Sequence, residues 1–177
     1  MRAQGLTNLY GSQMAEKDNP VIIFRGKLDT LCAMVIEAQA LGIERGNTAF
    51  VTDLQEILEF VRALLPAEYC GNPVEDFTLL GISGADIRER SHHPEKYFGY
   101  KHLLMHHSMG ALSIRLNSLR TFAREVEIAA VAALRDPEGS CRREDIVEAL
   151  NRLSSLFYIL IYKYLPENYS PAGDAGI

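Results

Sequence analysis

Four stretches of the chain carry apolar residues at helical spacing, and their pattern predicts the fold. The first, about residues 21–41 and ended by Gly42, is apolar on nearly every side, which is typical of a helix buried all round. The second repeats its apolar residues at three and four and ends near Leu65, before Pro66. The third runs from about 108 to 134 and the last from about 143 to 164. No stretch alternates convincingly as a strand does, and residues 1–17 show no periodicity.

Four long helices, with a long connection between the second and the third, predict an all-α fold. We expect a four- to five-helix bundle in which the long loop follows the second long helix. The whole chain, 1–177, is predicted to be one domain, with a core of about 18–165 and a flexible tail at 166–177. The segment 156–161 of the last helix is apolar all round, so we expect burial on two sides and hence an oligomer.

Composition narrows the classes of partner. The chain is 47% hydrophobic and 23% charged, and its formal net charge is -5, which argues against a general nucleic-acid or anionic-membrane binder. No apolar run is long enough to span a bilayer and no signal-peptide core follows the N-terminus, so we expect a cytoplasmic protein. The three cysteines form no Cys-x-x-Cys pair, which excludes zinc-ribbon and redox-motif interpretations.

Three charged residues on the third long helix are the first candidates for a site. Arg120, Arg124 and Glu127 are spaced by four and three, so they point the same way along the edge of the core stripe. One interpretation is a structural ion network completed by Arg25 and Asp29 of the first helix. The other is an anion site, in which the arginine forks bind phosphate and a carboxylate holds them in position.

All five histidines lie in the segment between the second and third long helices, and three interpretations stay open for it. His102 and His106 share a face if the segment is helical, so they could bind a metal with a further histidine. The segment could also be a loop with hydrogen-bonding histidines. Finally, Tyr97, Phe98 and Tyr100 could form a wall for a large planar ligand. No Walker-type loop, dinucleotide fingerprint or nucleophile elbow is present.

Several motifs, taken in order, resemble those of the corrinoid (ATP:cob(I)alamin) adenosyltransferases, and the ethanolamine-utilisation branch more than the propanediol-utilisation branch. The resemblance covers about residues 6–164. It rests on Met14-x-x-Lys17 with Pro20 and Asp29, on Ser91-His92-x-Pro94-x-x-Tyr97 with His102, on Arg120-x-x-x-Arg124-Glu125-x-Glu127, and on Asn151-Arg152-Leu153-Ser154.

The resemblance implies a reaction in which the cobalt of a reduced corrinoid attacks the 5′ carbon of ATP and triphosphate leaves. ATP, Mg2+ and cobalamin are the implied ligands, and a homotrimer with sites between subunits is the implied assembly. A reductase or an adenosylcobalamin-dependent enzyme is an implied partner, and a bacterial microcompartment an implied location. The implied catalytic residues are Arg124, Asp29 and Glu127. The implied binding residues are Lys17, Arg120, Asn151 and Arg152 for ATP, and Tyr97, Phe98 and His102 for the corrinoid, with no metal bound by the protein.

Two departures from the family pattern accompany the resemblance. Residues 6–11 stand where the propanediol branch has a Thr-Gly-Asp nucleotide loop, and no cysteine precedes Cys32, whereas the ethanolamine branch has an N-terminal Cys-Cys-x-x-Cys metal motif. Three hypotheses follow. The chain is an adenosyltransferase, a catalytically degenerate bundle that binds or hands over a corrinoid, or a histidine-metal bundle acting as a hydrolase or oxidase.

Overall fold

The computed structural model describes residues 5–74 and 76–169. Its helices are α1 (Pro20–Glu44), α2 (Thr48–Cys70), α3 (Gly84–His92), α4 (Pro94–Phe98), α5 (Gly110–Ala133) and α6 (Glu144–Lys163), with a single 3-10 turn at His107–Met109. Its strands are β1 (Leu6–Tyr10), β2 (Gln13–Glu16), β3 (Thr78–Leu79) and β4 (Ile82–Ser83), which form two separate antiparallel hairpins. The predicted all-α bundle is confirmed.

The four long helices form the bundle around one apolar core. Helix α5 packs on α6 and α1, and α1 packs on α2, with Phe24, Phe50 and Phe157 fully buried between them. Helix α6 is buried on two sides, as predicted, but α3 covers the side that α5 does not. The two-sided burial of α6 is therefore explained within one chain and no longer argues for an oligomer.

Helix α1 differs from its prediction in two ways. Only one stripe of it is buried, while Ile23, Ile36 and Ile43 are 44%, 45% and 70% exposed, so the expected burial all round is wrong for the single chain. The helix also continues through Gly42 to its end at Glu44. Glycine is needed at position 42 because α2 passes so close that a Cβ would be 2.8 Å from a ring carbon of Phe50.

Helix α2 was predicted to end before Pro66, but it continues to Cys70. Proline removes one helical hydrogen bond without excluding the turn that follows it. Tertiary contacts hold that last turn, because Arg143 donates a hydrogen bond of 2.8 Å to the carbonyl of Ala67. Gly71 then ends the helix in the left-handed conformation, with φ of 77°.

The N-terminal hairpin β1–β2 replaces the irregular segment expected there. A nearly buried ion pair attaches it to the bundle. Arg25 donates from Nε to Glu68 at 2.9 Å and from a terminal nitrogen to the carbonyl of Leu9 at 2.6 Å, and the hydroxyl of Tyr10 donates to the other oxygen of Glu68. Arg25 therefore pairs with Glu68 of α2, and the expected pairing of Arg25 with Asp29 is wrong.

The connection between the second and third long helices contains more regular structure than expected. It holds the β3–β4 hairpin and helices α3 and α4. Ser83 caps α3 by accepting a hydrogen bond from the amide of Asp86 at 3.2 Å. After α6 a turn follows, in which the amide of Tyr169 donates to the carbonyl of Pro166 at 2.8 Å. The rest of the predicted flexible tail, 170–177, lies outside the described residues.

None of the helices within 5–74 and 76–169 combines the length and hydropathy needed to cross a membrane.

Candidate functional site

A cavity of about 350 Å³ lies between α5 and α6 and brings the predicted charged residues together. Helices α5 and α6 form its walls, and the end of α3 and the irregular segment after α4 close it from the side. Its lining residues are Ser91, His92, His102, Leu103, Met105, Asn117, Arg120, Arg124, Ser154, Ser155 and Tyr158.

The α5 wall of the cavity is cationic. Arg120 is partly buried, and its Nε donates a hydrogen bond of 3.0 Å to Oδ1 of Asn117, one turn earlier. Burial lowers the pKa of Arg120, and the neighbouring charge of Arg124 lowers it further. Among the residues that the structure describes, neither Arg120 nor Arg124 forms an ion pair with a carboxylate. The wall therefore presents two positive charges that an anionic ligand could neutralise.

A polar network continues from this wall along α6. Asn151 donates from Nδ2 to Glu127 of α5 at 2.9 Å, and it accepts at Oδ1 from Arg152 at 2.7 Å. Arg152 also pairs with Glu148 at 2.9 Å. Because one carboxylate and one guanidinium bind its two ends, the side-chain amide of Asn151 is held in one orientation.

The third wall of the cavity is largely apolar and comes from the segment after α4. Leu103 and Met105 supply its aliphatic surface, and His102 stacks on Tyr158 with the ring centroids 6.0 Å apart. A second, larger hollow of about 720 Å³ is also lined by His102 and His92. These two histidines are therefore shared by both hollows.

The structure brings together some of the predicted site residues and separates others. Arg120, Arg124 and His102 line the cavity, and Glu127, Asn151 and Arg152 form the adjoining network.

The other predicted residues lie outside the cavity. Lys17 is exposed between β2 and α1. Asp29 is exposed on α1, in a groove of about 240 Å³ that Arg62 of α2 also lines. Tyr97 is 39% exposed, and Phe98 stacks on Tyr162, with 4.8 Å between the ring centroids and 13° between the ring planes.

The structural ion network expected from the sequence does not form within one chain. Arg25 is committed to Glu68 at the end of the bundle, and no ion pair among the described residues joins Asp29 to Arg124. The two arginines of the cavity are therefore left without a carboxylate partner among the described residues, which favours the anion-site interpretation.

The histidines do not converge on a metal site. Within the described ranges, no group of three or more histidine, cysteine, aspartate or glutamate side chains could hold a metal ion. His106 contacts the ring of His107, with centroids 3.9 Å apart, and its Nδ1 lies 2.9 Å from the hydroxyl of Ser108. The hydrogen-bonding interpretation of this segment therefore fits better than the metal interpretation.

Asn117 and Tyr158 are the main polar residues of the cavity that sequence reasoning missed. Asn117 lies three residues before Arg120, a spacing that could have identified it as a helical neighbour. Tyr158 belongs to a polar row on α6 that was visible at spacings of four and three, after Asn151 and Ser155. Its contact with His102 depends on the path of the segment after α4, for which the sequence carries no signal.

Comparison with known proteins identifies a family and several relatives of the chain. The family model described as cobalamin adenosyltransferase matches residues 3–164. The chain is 31% identical over 156 residues to the corrinoid adenosyltransferase EutT of Escherichia coli strain K12, and 29% identical over 156 residues to the EutT of Salmonella typhimurium strain LT2. Each match covers 88% of this chain and 57% of the relative, so the chain spans little more than half the length of these relatives.

Proposed function

The chain belongs to the cobalamin adenosyltransferase family, and we propose that it transfers the 5′-deoxyadenosyl group of ATP to the cobalt of a reduced corrinoid. Triphosphate is the second product. The EutT relatives are named corrinoid adenosyltransferases, which supports the proposed reaction. The motifs that resemble the ethanolamine-utilisation branch support ethanolamine utilisation as the setting. We place the protein in the cytoplasm, associated with a microcompartment where the host forms one, and expect a reductase or an adenosylcobalamin-dependent enzyme as its partner.

The observation that carries this proposal is the arginine pair of the cavity. Arg120 and Arg124 are one helical turn apart and have no carboxylate partner among the described residues. A triphosphate, bound as its Mg2+ complex, carries the negative charge that such a pair lacks, and guanidinium groups bind phosphate oxygens through two parallel hydrogen bonds. The hydrogen bond from Asn151 to Glu127 joins α6 to α5 next to this wall.

In the proposed step the cobalt acts as the nucleophile. Co(I) supplies both electrons of the new bond to C5′ of ATP, the bond from C5′ to the phosphate oxygen breaks, and triphosphate leaves with that electron pair. Cobalt thereby changes formally from Co(I) to Co(III), and no proton is transferred. Negative charge accumulates on the departing triphosphate, where Arg120 and Arg124 would stabilise it and hold the ribose carbon in line with the cobalt.

The apolar side of the cavity supports a corrinoid next to the nucleotide. Leu103 and Met105 offer aliphatic surface to a large planar ring, and His102 and His92 offer hydrogen-bonding groups to its amide side chains. We assign Tyr97 and Phe98 to the outer part of the same wall. The cavity of about 350 Å³ is small for both ligands together, so the proposal requires the open hollow beside it or a surface from a second subunit.

A second copy of the chain is the proposed source of the remaining surface. Asp29 lies on α1 in a groove lined by apolar residues, among them Ile36 and Leu65, which are 45% and 40% exposed. Arg124 is exposed at the cavity and lacks a carboxylate partner in the described chain. We infer a homotrimer in which Asp29 of one subunit pairs with Arg124 of the next. Lys17, which lies near the start of α1, would then approach the phosphates from the neighbouring subunit.

Product analysis under anaerobic conditions tests the proposed function. The protein is mixed with ATP, Mg2+ and chemically reduced cobalamin, and the absorbance spectrum and free triphosphate are followed. We expect a light-sensitive alkylcobalt spectrum and one triphosphate per adenosylcobalamin. A folded protein that yields neither product would contradict the proposal. If it binds cobalamin without turnover, the corrinoid-binding alternative replaces the adenosyltransferase.

A further inference from the structure

We propose that Tyr158 is a positioning residue that connects the cationic wall of the cavity to its apolar wall. The ring of Tyr158 lies beneath Arg120, and its hydroxyl fixes residues 101–103, the part of the apolar wall that we call the roof. The inference rests on the proposed function for the identity of the ligands, because the two walls are assigned there to ATP and to the corrinoid.

The hydroxyl of Tyr158 lies at the centre of a small network. It is 2.9 Å from Nδ1 of His102 and 2.6 Å from the hydroxyl of Tyr162, and the amide of Leu103 donates to it at 3.4 Å. Tyr162 in turn donates to the carbonyl of Lys101 at 3.3 Å. Three consecutive roof residues are therefore attached to two tyrosines on one face of α6.

Counting donors and acceptors shows which groups lose a partner when the Tyr158 hydroxyl is replaced by a hydrogen atom. A phenol has one proton to donate and two lone pairs that accept. If Tyr162 donates to Lys101, Tyr158 donates to Tyr162 and accepts from the amide of Leu103 and from Nδ1 of His102, so every group is satisfied. Tyr162 is only 7% exposed. Without the Tyr158 hydroxyl, the largely buried hydroxyl of Tyr162 would keep only its long bond of 3.3 Å to Lys101, which is unfavourable.

The ring of Tyr158 reaches the other wall. The guanidinium carbon of Arg120 lies 6.0 Å from the ring centroid, at the outer limit of a cation–π contact. The ring of His102 is almost parallel to that of Tyr158, with 20° between the planes. One side chain on α6 therefore contacts both the arginine proposed to bind phosphate and the roof proposed to contact the corrinoid.

The roof depends on this attachment because it has little regular structure of its own. Within the described chain, residues 101–106 belong to no helix or strand. The chain enters this segment through Gly99, whose φ of 75° favours glycine. Leu103 and Met105 pack on the core, and the rings of Phe98 and Tyr100 contact Tyr162. The hydroxyls of Tyr158 and Tyr162 supply the hydrogen bonds from the bundle to residues 101–103.

Hydrogen exchange without ligands tests the attachment itself. In Tyr158→Phe we expect the amide of Leu103 to exchange about three- to tenfold faster than in the wild type, because its long hydrogen bond of 3.4 Å and the neighbouring bond to His102 are both lost. Tyr164→Phe is the matched control. It loses a tyrosine hydrogen bond of 2.7 Å to Asp53, outside the cavity, and should leave exchange at Leu103 unchanged. Unchanged protection of Leu103 in Tyr158→Phe would overturn the proposal.

Steady-state kinetics test the positioning role. Tyr158→Phe keeps the ring, so we expect the KM for the corrinoid to rise about tenfold while the KM for ATP stays within about twofold. Tyr158→Leu removes the ring as well and should raise both KM values. A loss of kcat alone in Tyr158→Phe, or a corrinoid KM like that of Tyr164→Phe, would contradict the role. If the wild type transfers no adenosyl group, the proposed function fails, and the exchange experiment still decides the attachment of the roof.

Discussion

Arg120 and Arg124 are two like charges one turn apart on α5, an arrangement that destabilises an isolated helix. Among the described residues, only the neutral side chain of Asn117 hydrogen-bonds Arg120. Burial and the neighbouring charge of Arg124 lower the pKa of Arg120. The sequence spacing could predict that both arginines point the same way. It could not decide between an ion network and an anion site. That choice depends on the partner of Arg25, which is Glu68 of α2, far away in the sequence.

Replacing Arg124 with alanine should weaken binding of the anion without unfolding the protein. We expect the Kd for inorganic triphosphate to rise about 10- to 100-fold in Arg124→Ala, since charge-assisted hydrogen bonds contribute about 1.5–3 kcal/mol each. The free energy of unfolding should change by less than about 0.5 kcal/mol because the side chain is exposed. Isothermal titration calorimetry and urea unfolding measure the two quantities.

Arg115→Ala is the matched control for Arg124→Ala. Arg115 lies on the same helix but pairs with Glu37 at 3.0 Å, and it is not among the residues that line the cavity. Its replacement should leave the Kd for triphosphate within about twofold of the wild type. Equal weakening by both substitutions would mean that general positive charge, and not the cavity, binds the anion.

Gly42 shows how a single missing side chain sets the distance between helices. A Cβ there would be 2.8 Å from Phe50 and 2.9 Å from Val51. We expect Gly42→Ala to lower the free energy of unfolding by about 1–3 kcal/mol, as overpacking does in a close-packed core. Gly26→Ala, in open space on the same helix, should raise it by about 0.5–1 kcal/mol. Urea unfolding compares the two, and stabilisation by both substitutions would be inconsistent with close contact at Gly42.

At the scale of elements, apolar spacing was sufficient to locate all four long helices, because each buries a stripe in the core. Their ends were less predictable. Helix α2 passes Pro66 because Glu68 and the carbonyl of Ala67 are bound by residues far away in the chain. The β1–β2 hairpin was missed for the same reason, since a two-stranded hairpin is marginal alone and this one is held by Arg25 and Tyr10.

Asp145 lies at one end of the bundle, where the start of α6 meets the end of α2 and the segment that follows it. It accepts two hydrogen bonds from Arg143, at 2.9 and 2.8 Å, and one from the amide of Val74 at 2.9 Å. The bonds from Arg143 are the main cause that lowers the pKa of Asp145 from 3.8 to about 2. Arg143 in turn donates to the carbonyls of Ala67 and Asn72, so the ion pair attaches the start of α6 to the end of α2.

The lowered pKa of Asp145 predicts a specific loss of stability in acid. A carboxyl whose pKa is lower in the folded state contributes stability above its unfolded pKa and loses it as pH falls towards the folded pKa. Asp145 should therefore contribute about 2 kcal/mol above about pH 4, and this contribution should disappear between about pH 4 and pH 2. Urea unfolding from pH 6 downwards should show Asp145→Asn less stable by that amount at pH 6 and converging with the wild type near pH 2. A constant difference across this range would contradict the assigned pKa.

For the whole molecule, the central question is whether one chain contains the complete site. The cavity holds the cationic and apolar walls, but Asp29 and Lys17, both predicted from the family resemblance, lie outside it. The sequence could predict these residues because the motifs are local. It could not show which of them meet within one chain, since that depends on packing between helices and, in the proposed trimer, between copies.

Mixing two variants tests whether the site lies between subunits. Asp29→Ala and Arg124→Ala should each be inactive alone. When equal amounts of the two variants assemble randomly into trimers, each side of an interface is intact in about half of the cases. About one quarter of the interfaces would therefore combine an intact Asp29 with an intact Arg124. We therefore expect co-refolded mixtures to recover about one quarter of wild-type turnover. Mixtures of Arg120→Ala with Arg124→Ala are the control, because both residues lie on one wall and no interface regains both. Recovery in neither mixture would contradict an intersubunit site.

The most direct test of a triphosphate site at this cavity is the rate of adenosylcobalamin formation. It is measured anaerobically, with saturating Co(I) cobalamin and varied MgATP, for the wild type, for Arg124→Ala and for Arg115→Ala. We expect the wild type and Arg115→Ala to turn over alike. We expect Arg124→Ala to lose at least about 100-fold in kcat/KM for ATP, or about 3 kcal/mol of transition-state stabilisation. Full activity in Arg124→Ala would contradict a triphosphate site at this cavity, and a folded wild type without activity would contradict the proposed reaction.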